Sequence, residues 1–259
     1  MADGTHHSTL GNIAEAAARL GVDAQSIEDL VFANRILYSQ GIVDAFGHAS
    51  IRHPVRRDHF ILSRNVAPGL AMAEDLLEFD ERGEAVMANP PRIFLERFIH
   101  GEIYRARPDV MAVVHSHSAT VVPFSVSPNT PMRAICHMCG FIGHQVPVFD
   151  LADDFGDDTD LLIRSREMGA SLARALGTSA IVLMRGHGST VVAKGIREAV
   201  YRAIYTEVNA RTQHQALQLG EPRYLSEKEG MTATETMDSQ VDRPWGLWRA
   251  QVLAANLEG

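Results

Sequence analysis

The chain has 259 residues and a mass of 28.4 kDa, with 46 % hydrophobic and 22 % charged residues and a formal net charge of −8. That length and balance suit one large domain with a sizeable core and exclude wholesale disorder, while the absence of any basic run or any apolar run near the ~20 residues of a membrane span argues against nucleic-acid and membrane partners. Two cysteines make no disulfide framework, and the first seven residues lack a secretory pattern, so the expected location is the cytoplasm.

Residues 1–9 read as a loose leader, 10–230 as a single domain, and 231–259 as a tail that packs on its own or a neighbouring chain. The spacing predicts a helix over 26–40, with Ser26 as its N-cap and Gly41 as its stop. Strand-like pieces follow at 49–52 and 59–63, then a turn at 81–84 before 85–87. Pro90-Pro91 opens a helix through Tyr104, because Phe94, Leu95, Phe98, Ile99 and Ile103 recur at helical spacing. Arg107-Pro108-Asp109 breaks that helix, and residues 110–118 read as a buried strand. A helix over 160–176 stops at Gly177, a strand over 180–184 follows, and the longest helical pattern runs over 196–219 to Gly220. Helices interleaved with short strands predict an α/β fold.

Twelve histidines against 24 lysines and arginines is the unusual feature of the composition. Two of them form Val113-Val114-His115-Ser116-His117. Side chains alternate across a strand, so His115 and His117 share a face, as a metal chelate or as two hydrogen-bonded histidines in a polar cleft. A third lies in Arg185-Gly186-His187-Gly188 at the end of a strand, where glycines let the backbone turn and bring the imidazole close to another group. Together the three make a natural ligand set for Zn²⁺, Mn²⁺ or Fe²⁺ with positions left for substrate or water. Glu96, beside Leu95, Phe98 and Ile99, reads first as a helix-surface glutamate paired with Arg92 or Arg97 and otherwise as a partly desolvated proton-transfer group. Cys136-His137-Met138-Cys139 reads as two reduced thiols near the active-site wall, with His137 placed to face a substrate. His53, His59, His100 and His214 read as ordinary surface or packing residues, and His144 has little more support.

Over residues 26–220 the chain resembles the class II aldolase/adducin-like family. The likeness rests on Gly47-His48-Ala49-Ser50-Ile51-Arg52, on Glu96 standing 19 residues before His115, on Arg107-Pro108-Asp109 leading into the His-x-His strand, and on Gly186-His187-Gly188. It implies a three-layer αβα fold around a mixed, largely antiparallel sheet. It further implies His115, His117 and His187 as ligands of one divalent ion per subunit (Mn²⁺ or Zn²⁺, with Fe²⁺ also accepted), and Glu96 as catalytic acid/base. The family's sugar-phosphate aldolases hold the substrate phosphate with serines where this chain has Phe94 and Leu95, and carry an amide where it has His48. The pattern is therefore similar to the decarboxylase branch, which acts on hydroxylated aromatic or heteroaromatic dicarboxylates of the hydroxypyridine-dicarboxylate and dihydroxyphthalate types. On that expectation His48 and His137 join Glu96 as catalytic candidates. Ser50, Arg52, Ser63, Arg64, Arg185 and Trp245 become candidates for holding a small carboxylate, the arginines through bidentate pairing. The resemblance also implies a homotetramer with its site at the subunit boundary. An aldolase or epimerase acting on a non-phosphorylated hydroxy-carbonyl compound, and a metal-free adducin-like interaction protein, are the alternatives.

Overall fold

In the computed structural model, which describes residues 10–255, seven short strands form one largely buried sheet with helices on both faces. The strands are β1 His48–Arg52, β2 Phe60–Ser63, β3 Leu76–Phe79, β4 Ala112–Ser116, β5 Val148–Phe149, β6 Ile181–Met184 and β7 Gly188–Ala193. The helices are α1 Ile13–Leu20, α2 Ala24–Ser39, α3 Arg97–Ala106, α4 Val122–Ser125, α5 Leu151–Phe155, α6 Arg166–Leu176, α7 Ile196–Leu219, α8 Glu227–Asp238 and α9 Asp242–Ala255. The sheet order is β3-β2-β1-β4-β7-β6-β5, antiparallel throughout except for the parallel β5–β6 pair.

Period-2 alternation builds the layers. Ile61, Ala112, Val114, Leu183 and Val191 pack toward α1, α2, α7 and α9. Their neighbours Phe60, Leu62, Val113, Val182 and Val192 pack on the other face against α3 and α6. The fold is thus α/β, with a mixed seven-stranded sheet between helical layers. Among the described residues no helix is long and apolar enough to cross a membrane.

Several element boundaries differ from the sequence expectation, each for a local reason. Helix α2 starts at Ala24, because the Asp23 carboxylate caps it by accepting from the Ser26 N–H at 2.8 Å. Pro90-Pro91 does not open α3. That helix starts after Glu96, and the residues around the prolines stay irregular, as residues preceding a proline favour extended backbone. The His-x-His strand ends at Ser116, which leaves His117 just beyond it. Residues 160–165 are loop, and α6 begins after Ser165, whose hydroxyl accepts from the Met168 N–H. Residues 188–193 form β7, a hairpin partner of β6, and β7, α1, β3 and α8 are elements beyond those the sequence predicts. Helix α7 spans Ile196–Leu219 as expected. The leader of residues 1–9 lies outside the described residues.

Candidate active site

The register of three strands sets the floor of the site. His115 lies two residues after Val113, so it faces the α3–α6 side of the sheet. On β1, His48 stands opposite His115 and Ser50 opposite Val113, while on β7 Thr190 stands opposite His115. His187 occupies the turn between β6 and β7. That turn sits tight against the end of β4, because a side chain at Gly188 would strike the Ser116 carbonyl. Glu96 comes in from the opposite layer, at the N-cap position of α3.

Four side chains converge there. The His117 Nε2 lies 2.9 Å from the His115 Nε2 and 3.0 Å from the His187 Nε2. The Glu96 Oε2 lies 3.5 Å from the His115 Nε2 and 3.6 Å from the His187 Nε2. All four donor atoms fall within 4.8 Å of one another, and no other such group of His, Cys, Asp and Glu occurs among the described residues. Supporting contacts aim them. The His187 Nδ1–H donates to the Leu161 carbonyl at 2.8 Å, and the Ile163 N–H donates to Glu96 Oε1 at 3.1 Å. Leu161 and Ile163, which make these two contacts through backbone groups, sit in the loop before α6, where Leu161 takes a left-handed backbone (φ 67°).

The electrostatics suit a cation. Burial, then the charge of His115 and His187, pushes the His117 imidazole down to about 3, and burial also lowers His115, so both imidazoles are neutral at ordinary pH. Burial opposes ionisation of Glu96, but His115 and His187 outweigh it and hold the carboxyl well below the usual carboxylate range. For His187, burial works against the proton while Glu96 outweighs it, and the net shift is upward. The donor set fits a divalent ion, since two ligand atoms bound about 2.1 Å from one ion at right angles lie about 3 Å apart.

The other sequence candidates scatter. His48 lies beside the cluster, its ring centroid 5.2 Å from that of His115. Ser50 is buried below it and bonded to His100 and Tyr104, so it does not face a substrate. Arg52 is spent on the backbone carbonyls of Arg57, Tyr104, Arg107 and Val110. Ser63 is buried in β2 opposite Leu76. Arg64 pairs with Asp75 at 2.6 Å and Arg185 pairs with Asp150. His137 is exposed, beside α8 and the Tyr201–Tyr205 face of α7. Trp245 is buried in the core, with the Arg197 guanidinium 5.5 Å from its ring, and takes no part in the cluster. His100, read as ordinary, is instead fully buried under His48. Its place four residues after Glu96 on α3 was the signal available. For Leu161 and Ile163, which act through backbone groups, the sequence carries none.

The Class II Aldolase and Adducin N-terminal domain family matches residues 28–214. The chain is 40 % identical over 246 residues to decarboxylase tropJ of Talaromyces stipitatus, covering 86 % of this chain and 92 % of that protein. It is 30 % identical over 198 residues to 3,4-dihydroxyphthalate decarboxylase of Arthrobacter keyseri, covering 71 % and 75 %. In three dimensions it is similar to L-fuculose 1-phosphate aldolase from Glaciozyma antarctica PI12, with a TM-score of 0.73 at 23 % identity over 99 % of this chain and 96 % of that one. That last likeness is one of fold.

Proposed function

The chain belongs to the class II aldolase and adducin family, on its decarboxylase branch, and is a carboxy-lyase; from that premise we propose that it removes CO₂ from a hydroxylated aromatic or heteroaromatic dicarboxylate, using one divalent metal ion held by His115, His117 and His187. The observation that carries this reading is the convergence of three imidazole Nε2 atoms and one carboxylate within 4.8 Å. A divalent ion bound there would supply Lewis-acid charge to the reaction. Mn²⁺ or Zn²⁺ suits the three imidazoles, and Fe²⁺ is also accepted.

The chain's own groups handle the protons. Loss of CO₂ leaves an electron pair on the ring carbon, and one proton has to arrive there. Glu96 is held as carboxylate, so it starts as the base rather than the acid. It takes the proton of the substrate hydroxyl and returns it to the ring carbon once CO₂ has left, while the Ile163 N–H keeps its second oxygen in place. The walls favour a planar ring: Phe94 lies 4.6 Å from His48, and Phe46, exposed, lies 6.5 Å from His117. Because Arg52, Arg64 and Arg185 are engaged elsewhere, recognition of the second carboxylate falls to a neighbouring copy in the proposed homotetramer. The free thiols Cys136 and Cys139 are in keeping with a cytoplasmic location.

Metal analysis of the purified chain, combined with a CO₂-release screen over ortho-hydroxy aromatic dicarboxylates, tests the reading. Release that depends on a stoichiometric ion supports it. Aldehyde formation from a sugar acid, with no CO₂ from any aromatic acid, would overturn it in favour of aldol cleavage.

A further inference from the structure

Beneath His48 runs a line of buried polar side chains that the proposed reaction leaves unused. The His48 Nδ1 lies 2.7 Å from the His100 Nε2, and the Ser50 Oγ lies 2.6 Å from the His100 Nδ1 and 2.8 Å from the Tyr104 hydroxyl. None of the four residues is more than 3 % exposed. Strand and helix periodicity close the line. Ser50 follows His48 by two residues on one face of β1, and Tyr104 follows His100 by four on one face of α3.

One end of the line decides which way its protons point. A buried phenol has to donate its proton, and the Ser50 Oγ is the acceptor its hydroxyl has among the described residues. Ser50, having accepted from Tyr104, turns its own proton toward the His100 Nδ1. That places the His100 proton on Nε2, where the His48 Nδ1 accepts it. His48 is left carrying its proton on Nε2. In the reverse sense the Tyr104 proton would be stranded in the interior. The His48 Nε2 has no hydrogen-bond partner among the described residues, yet it is not one of the enclosed unpaired atoms, so the small exposed part of His48 includes that edge.

We propose that His100, Ser50 and Tyr104 are positioning residues that lock His48 as an Nε2–H donor for an anionic oxygen of the substrate, a carboxylate or phenolate lying against the histidine cluster. The identity of that acceptor rests on the proposed function; the direction of the hydrogen bonds does not.

Long-range proton–nitrogen NMR of the full-length chain labelled with ¹⁵N-histidine reads the tautomer directly, with His48 assigned through its loss in His48→Gln. The wild type should show His48 with its proton on Nε2 alone. Tyr104→Phe, which removes one oxygen, and Ser50→Ala should each give mixed tautomers, and kcat/KM for CO₂ release should fall about 10–100-fold, the usual cost of losing a group that orients a ligand. Ser50→Thr, which keeps the hydroxyl, should restore both the tautomer and kcat/KM. An Nδ1–H tautomer in the wild type, or a His48 signal untouched by both Tyr104→Phe and Ser50→Ala, overturns the wiring. Altered tautomers with unchanged kcat/KM overturn the donor role. Spectra as expected with no CO₂ release from any aromatic acid support the wiring and defeat the proposed reaction instead.

Discussion

His187 gives its Nδ1 proton to the Leu161 carbonyl, and Thr190 stands 3.3 Å from the His115 Nδ1, so both rings turn Nε2 toward the common centre. Removing either imbalances the proposed ligand set without opening the core. In His115→Ala and His187→Ala, metal content by elemental analysis should fall well below one ion per chain while far-UV circular dichroism is preserved. Full occupancy in both variants would remove these residues from the metal. Glu96→Gln keeps an acceptor for the Ile163 N–H but loses the base. Metal content should stay near that of the wild type while turnover drops by about 10²–10⁴; unchanged turnover passes the proton-transfer role to His48. Away from the site, the hydrogen bond from the Cys139 thiol, 3.1 Å away, brings Cys136 down to about 6, whereas Cys139 is pushed up by that same contact and by burial. Because the lowered group becomes thiolate as pH rises through 6, iodoacetamide should label Cys136 alone, with its rate rising through that pH rather than near 9. Equal labelling of both thiols would contradict the assignment.

At the scale of elements, the spacing between α3 and α6 governs the site, because Glu96 stands at the N-cap position of α3 and the helix carries His100 and Tyr104. Gly169 sets that spacing: a Cβ there would strike the Phe98 carbonyl of α3. Gly169→Ala should therefore cost about 1–3 kcal/mol as overpacking. The urea midpoint should fall at unchanged m-value, with kcat falling alongside, and an unmoved midpoint would show that the helices give way freely. This geometry was only partly legible in the chain. The extent of α7 was legible because positions buried at helical spacing run from Ile196 to Gln213 and glycines stand at both ends, Gly195 and Gly220. The start of α3 is obscured, since Pro90-Pro91 mimics a helix opening, and the 160–165 loop is invisible in the sequence because its contacts to Glu96 and His187 are made by backbone groups that carry no side-chain signature.

For the whole molecule, the last helix, α9, belongs to the core of its own chain. Trp245, Trp248 and Val252 of α9 are buried among residues of α2 and α7, and Arg249 and Arg197 pair with Glu28 and Asp29 on α2. Truncation after Gly230 bares that face, so the shortened chain should aggregate or unfold on size-exclusion chromatography rather than form an intact assembly lacking a lid. Trp248→Ala alone should cost about 3–5 kcal/mol in urea unfolding. A truncated chain that folds with the mass of the full assembly would contradict this. Light scattering of the full chain tests the proposed homotetramer, and a fully active monomer would refute a shared site.

The residues by themselves determined the α/β class and the placing of His115 on one strand and of His187 in a glycine-flanked turn at the end of another. These follow from local periodicity, which a few consecutive residues express. Only the tertiary structure decided that Glu96 reaches both histidines, that His100 is wired to His48, that Arg52 is consumed by backbone carbonyls and that Trp245 serves the core. Each of those roles depends on burial and on partners far away in the chain, and neither is written in the spacing of neighbours.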